Sequence, residues 1–227
     1  MSNQASIQFG SPAAVAYAER GLLVAPWPAE VPEGLPKAVR KALLGCGCGP
    51  LGCAVPGWYP APCSDPVQAS RRWRGSPEAG VGLLTGMDAG LEVLEVPAAL
   101  GAAVLRLGRP GLGPVAETTC GRFHFYVAPA GAGPCINVPR RGGRGPSGIR
   151  WLGDGSFVLA PPSRGASGGA ARWHRTLDAP LPPALRVLDR LREVEAAGTM
   201  TPGKSGAGAS IPAPVIPIGI ALPGGAR

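Results

Sequence analysis

The chain has 227 residues, 45% of them apolar, and a formal net charge of +8 carried mostly by arginine. That length and apolar share suit one domain of ordinary size with flexible ends. The arginine excess favours an anionic partner, with a merely solubilising surface charge as the alternative. The longest apolar stretch, IPAPVIPIGIALP near the C-terminus, is too short and too broken by proline to cross a bilayer. MSNQASIQFG at the start has no basic residues leading into an apolar run, so the expectation is a cytoplasmic protein with reduced cysteines.

Taken in chain order, Ser11 and Pro12 supply a cap and a first-turn proline for a helix running through AAVAYAER to Gly21, with LLVAP following as a strand. From Pro28 to Pro62 the chain is rich in Pro, Gly and Cys and reads as a loop organised by something other than an apolar stripe. Asp65, Pro66 and Gln68 repeat the capping pattern and open a helix through Arg71, Arg72 and Trp73 to Gly75. VGLLTG, LEVLEV, VAETT, FHFYVA and SFVLA then read as strands, with the helix PAALGAAVLRLG after the second of them. The helix PPALRVLDRLREVEAA closes the domain. A crossover helix mixed with hairpin-like connections predicts an α+β fold and not a doubly wound one. The expected organisation is a flexible N-terminus over 1–10, a domain over 11–197 with a Cys-rich insert at about 45–64, and a disordered Gly/Pro-rich tail over 198–227.

Several segments in this order resemble one family: SPAAVAYAERGLLVAP, the Cys-rich insert, SDPVQASRRW, VGLLTG, LEVLEV, GRFHFYV and above all GDGSFVLAPPSRGASGGAARWH. Together they are similar to the bifunctional DNA primase/polymerase (prim-pol) domain of the archaeo-eukaryotic primase superfamily, over about residues 11 to 190. The resemblance implies a mixed sheet flanked by helices. It also implies nucleotidyl transfer with Mg²⁺ or Mn²⁺ held on an Asp-x-Asp pair at the end of the second strand and on a third carboxylate from a later strand, because metals bridging a triphosphate need several oxygen ligands close together.

Here that pair falls on Glu95 and Pro97, and the third acid falls near Arg150, between Ile149 and Trp151. A guanidinium in that place repels a metal. Asp154 sits in the glycine turn of the resemblance, and Glu92 is an odd number of positions from Glu95, so strand alternation sends it to the opposite face. His124 in GRFHFYV matches the family histidine that the resemblance places on the incoming nucleotide's phosphates; a core histidine bonded to a backbone carbonyl is the alternative. His124 and Tyr126 share one face of their strand, Phe123 and Phe125 the other.

Arg140, Arg141, Arg144 and Arg150 fall in the glycine-rich segment PRRGGRGPSGIR, read as a loop that either wraps a phosphate backbone or is simply solvated. Arg164, Arg172 and His174 add charge nearby, and Trp173 either stacks on a base or covers the sheet edge. Cys46, Cys48, Cys53 and Cys63 can make a structural zinc site, although their gaps depart from paired C-x-x-C knuckles, and Tyr59 stands where similar inserts carry a histidine. Cys120 and Cys135 read as ordinary small residues.

The expected function is therefore a prim-pol-like protein that binds nucleotide or nucleic acid, with Glu95 and His124 as its candidate catalytic residues and its polymerase activity reduced or lost. The alternatives are a working metal-dependent primase/polymerase, in which Glu92 or Asp154 helps complete the metal shell, and a scaffold whose apolar tail docks on a protein partner.

Overall fold

The computed structural model describes residues 11–27, 61–108, 110–133, 136–139, 146–164 and 169–197. Arg140, Arg141, Arg144, Cys46, Cys48, Cys53, Cys135 and the two terminal segments lie outside them.

Helix α1 (Ser11–Glu19) ends at Gly21, whose φ of +75° turns the chain into strand β1 (Val24–Trp27). Helix α2 (Pro66–Arg74) begins as its sequence requires: the Asp65 carboxylate accepts the Gln68 backbone N–H at 2.7 Å, and proline occupies the first turn. Strand β2 (Gly80–Leu84) follows, then β3 (Glu92–Val96) and helix α3 (Ala98–Arg106). Strands β4 (Val115–Glu117), β5 (Phe123–Val127), β6 (Ile136–Pro139), β7 (Pro146–Leu152), β8 (Phe157–Ala160) and β9 (Arg172–Arg175) precede the last helix, α4 (Ala184–Ala196).

The strands form two antiparallel sheets: a small one in the order β1-β2-β8, and a large one in the order β6-β7-β3-β5-β4-β9. The α+β expectation holds. Alternation along β3, β5 and β7 divides the large sheet into two faces. On one face Val93, Tyr126 and Leu152 join α1, α2 and the small sheet in a core that includes Trp73, Val81 and Val158. On the other, Leu94, Val96, Phe125 and Ile149 pack against Leu100 and Val104 of α3 and Val187 and Leu191 of α4. Gly101 lets α3 lie close to β5, since a Cβ there would stand 2.2 Å from the Phe123 ring.

Three strands were not legible as strands. β6 ends at Pro139 and β7 takes the last residues of the expected arginine loop, so Arg150 sits in the middle of an inner strand, while Arg140, Arg141 and Arg144 lie outside the described residues. The short charged β9 forms the sheet edge beside β4. Among the described residues no helix is long and apolar enough to cross a membrane.

Candidate functional site

The register of the central strands builds the site. On β3, Glu95 pairs with His124 of β5 on one side and with Arg150 of β7 on the other. All three point to the face that carries Val93, Tyr126 and Leu152, so an imidazole, a carboxylate and a guanidinium stand in a row across three strands. Glu95 and His124 have no exposed surface.

A second guanidinium completes the group. Arg122 precedes β5 by one residue, and its Nε lies 2.5 Å from Glu95 Oε1 while a terminal nitrogen donates to the Gly148 carbonyl at 2.6 Å. Its backbone is fixed by the β4–β5 turn. Thr118 N–H donates to the Arg122 carbonyl, Arg122 N–H donates to Thr118 Oγ1 at 3.0 Å, and Gly121 takes the left-handed conformation that closes this three-residue loop. Arg122 was missed in the sequence. It lies two residues before His124, so the same alternation that pairs His124 with Tyr126 could have placed it.

Glu95 Oε1 is the shared acceptor: Arg150 Nε donates to it at 2.8 Å, and Arg150 Nη2 also contacts it. His124 Nε2 stands 3.6 Å from Glu95 Oε2, close enough for charge attraction but outside hydrogen-bond reach. Burial pushes the Glu95 carboxyl up, and the imidazole and the Arg150 guanidinium outweigh it, so the group is held down to about 2. Among the described residues, Glu95 Oε2, Arg122 Nε and both ring nitrogens of His124 have no hydrogen-bond acceptor or donor facing them in good geometry.

The other acids do not supplement Glu95. Glu92 faces the opposite layer, where it accepts the Ala132 N–H at 2.9 Å and the Trp151 indole N–H at 2.7 Å. Asp154 accepts the Met87 N–H at 2.7 Å, and Gly86 packs so closely on it that a Cβ would lie 2.3 Å from its carboxylate. Asp154 thus shapes a turn beyond the Leu152–Val93 pair, toward the start of β3 and away from Glu95. Pro97 leaves β3 on the Glu95 face and its ring covers Gly148, where a Cβ would be 3.0 Å away.

These residues do not fit a divalent metal. A cation entering at Glu95 would have to displace a guanidinium from Oε1 and remain beside the other, with no second carboxylate among the described residues to offset the charge. Among the described residues no three His, Cys, Asp or Glu side chains come together. Cys63 is buried in the first core and its backbone bridges Val24; the other three cysteines of the expected zinc set lie outside the described residues.

The second basic group stands at the sheet edge. Arg172 Nε and Nη2 donate to Glu117 Oε2 at 2.8 and 2.7 Å, and His174 Nε2 lies 3.1 Å from the same oxygen. Trp173 donates to the Tyr17 hydroxyl at 3.1 Å and packs 5.1 Å from the Tyr126 ring, so it covers the sheet and does not present a face for a base. The Tyr17 hydroxyl in turn donates to the Pro161 carbonyl, and burial pushes its pKa up.

Residues 14–185 match the family described as bifunctional DNA primase/polymerase, N-terminal. The chain belongs to that family. The match runs from α1 to the start of α4 and takes in both sheets, leaving most of α4 beyond it. No curated protein matches the sequence.

Proposed function

We propose that this prim-pol domain binds nucleotide or nucleic acid and that its nucleotidyl transfer is reduced or lost. The observation that carries the reading is the pairing of Glu95 with Arg150: the later strand that the resemblance endows with a carboxylate brings a guanidinium instead. Metal-assisted transfer needs carboxylates to gather cations around the triphosphate. One acid, already committed to two arginines, supplies too little negative charge for that. The chain's net charge of +8, carried mostly by arginine, suits phosphate oxygens.

The test is extension of a labelled primer on a DNA template with dNTPs and Mg²⁺ or Mn²⁺, with an active prim-pol protein in parallel. No extension by the native chain is expected while the control extends. Extension that Glu95→Ala and His124→Ala both abolish would overturn the proposal and establish a working enzyme with a reduced acid set.

A further inference from the structure

We infer that this chain has exchanged a divalent metal for an arginine: Arg150 is the resident cation of Glu95, and it closes the carboxylate to Mg²⁺ and Mn²⁺ for as long as the protein is folded. This rests on the reading of reduced or lost transfer above and names the residue responsible.

The register puts the guanidinium there. Arg150 of β7 and Glu95 of β3 are direct cross-strand neighbours, and His124 of β5 is the neighbour of Glu95 on the other side. Side chains opposite one another on an antiparallel pair stand about 5 Å apart at Cβ, so the head group of residue 150 meets Glu95 by construction. Arg150 Nε donates to Glu95 Oε1 at 2.8 Å, and Nη2 contacts the same oxygen. Strand β7 lies between β6 and β3, and moving Arg150 away through its backbone would break both ladders. A guanidinium does not lose its proton in a protein, and one carried by the chain cannot dissociate as an ion can.

The surroundings keep the carboxylate closed. Glu95 has no exposed surface, and Mg²⁺ sheds its water reluctantly, so several protein oxygens would have to replace that water. Among the described residues no second carboxylate stands there to do so. Arg122 Nε lies 2.5 Å from the same Oε1, and this side chain also donates to the Gly148 carbonyl at 2.6 Å, so a cation remains beside Glu95 even when Arg150 is replaced. Pro97, two positions after Glu95 on the same face, lays its ring over Gly148 and fills with carbon the place where another acid would extend the donor set.

Titration with Mn²⁺, following the free ion by electron paramagnetic resonance, tests the closure on the native chain and on Glu95→Gln. The variants Arg150→Asp and Arg122→Gln/Arg150→Asp test its cause, with circular dichroism and a thermal melt checking the fold of each. The native chain and Glu95→Gln should take up Mn²⁺ equally. The double variant should gain a site that binds Mn²⁺ at least about tenfold tighter than the native chain does, that Mg²⁺ competes for, and that is lost again when Glu95→Gln is added. Arg150→Asp alone should fall between, because Arg122 stays. A native Mn²⁺ site that Glu95→Gln removes overturns the inference, and this comparison stands even where the aspartate variants do not fold. A folded double variant that gains no Mn²⁺ site overturns it too, since the arginines would then not be what excludes the metal. Either result leaves the proposed function intact so long as no primer is extended, whereas primer extension without a Glu95-dependent Mn²⁺ site removes the proposed function and leaves Glu95 closed.

Discussion

Glu95 is ionised at neutral pH although burial alone would favour its neutral form, because the imidazole and guanidinium beside it outweigh the loss of water and hold its pKa near 2. The sign of the pH dependence follows. A carboxyl whose folded value lies below the ordinary 4.5 contributes stability above 4.5, and that contribution is lost as the pH falls from 4.5 toward 2. Glu95→Gln removes the charge and leaves two guanidiniums repelling each other across a neutral amide. Breaking a fully buried pair costs about 3–5 kcal/mol, and the partial exposure of both arginines brings the expected loss at neutral pH to about 2–3 kcal/mol. Thermal unfolding measured in steps between pH 7 and pH 2 checks this. The gap between native and variant should close through the acid window, and a gap that stays constant would show that the carboxylate is not coupled to the arginines. Glu92 marks the contrast within the same strand: it is equally buried, but its two oxygens meet N–H donors and not cations.

At the scale of elements, the contact between α3 and β5 sets two opposing effects against each other at Gly101. Alanine in a helix interior gains about 1 kcal/mol over glycine from propensity alone. A Cβ at this position, however, would stand 2.2 Å from the Phe123 ring, which is itself packed in the second core, and overpacking of that kind costs about 1–3 kcal/mol. The clash should win, so Gly101→Ala lowers the melting temperature, and Gly101→Ala combined with Phe123→Leu recovers part of the loss. A stabilised single variant would show that α3 shifts freely over the sheet. The same elements show what the sequence made legible. Caps at Asp65 and the Gly21 turn announce α2 and α1, and the alternations LEVLEV and FHFYV announce β3 and β5, whereas the pairing that sets Glu95 beside His124 comes from the register of the two strands. β7 was hidden because its seven residues begin Pro-Ser-Gly and continue a run of glycine and arginine, and only Ile149 and Trp151 flanking Arg150 hint at a pleat. Its strand character comes from its neighbours, β3 and β6, whose ladders on either side satisfy its backbone. Arg122 was hidden differently: it lies just outside β5, and only the register with β3 shows that its side chain reaches Glu95.

For the molecule as a whole, a net charge of +8 on 227 residues is large enough to attract a polyanion before any specific contact forms. Much of the described arginine at the surface is tied to acids, as Arg20 is to Asp178, Arg172 to Glu117 and Arg190 to Glu193. Such exposed pairs are weak, about 0–1 kcal/mol, so a phosphate can draw the guanidinium away at little cost. Because Trp173 at the β9 edge is turned inward on Tyr17 and Tyr126, that edge offers charge to a strand and, among the described residues, no stacking platform. Binding to single-stranded DNA should therefore be indifferent to base sequence and steep in salt. Neutralising about four phosphates gives a slope near −3 in log affinity against log salt concentration. Fluorescence anisotropy with oligonucleotides of contrasting sequence, repeated across a salt series, measures both quantities. A shallow slope with a marked preference for one sequence would mean that base edges are being read, and the surface that reads them would then have to lie outside the arginine group on β5 and β7.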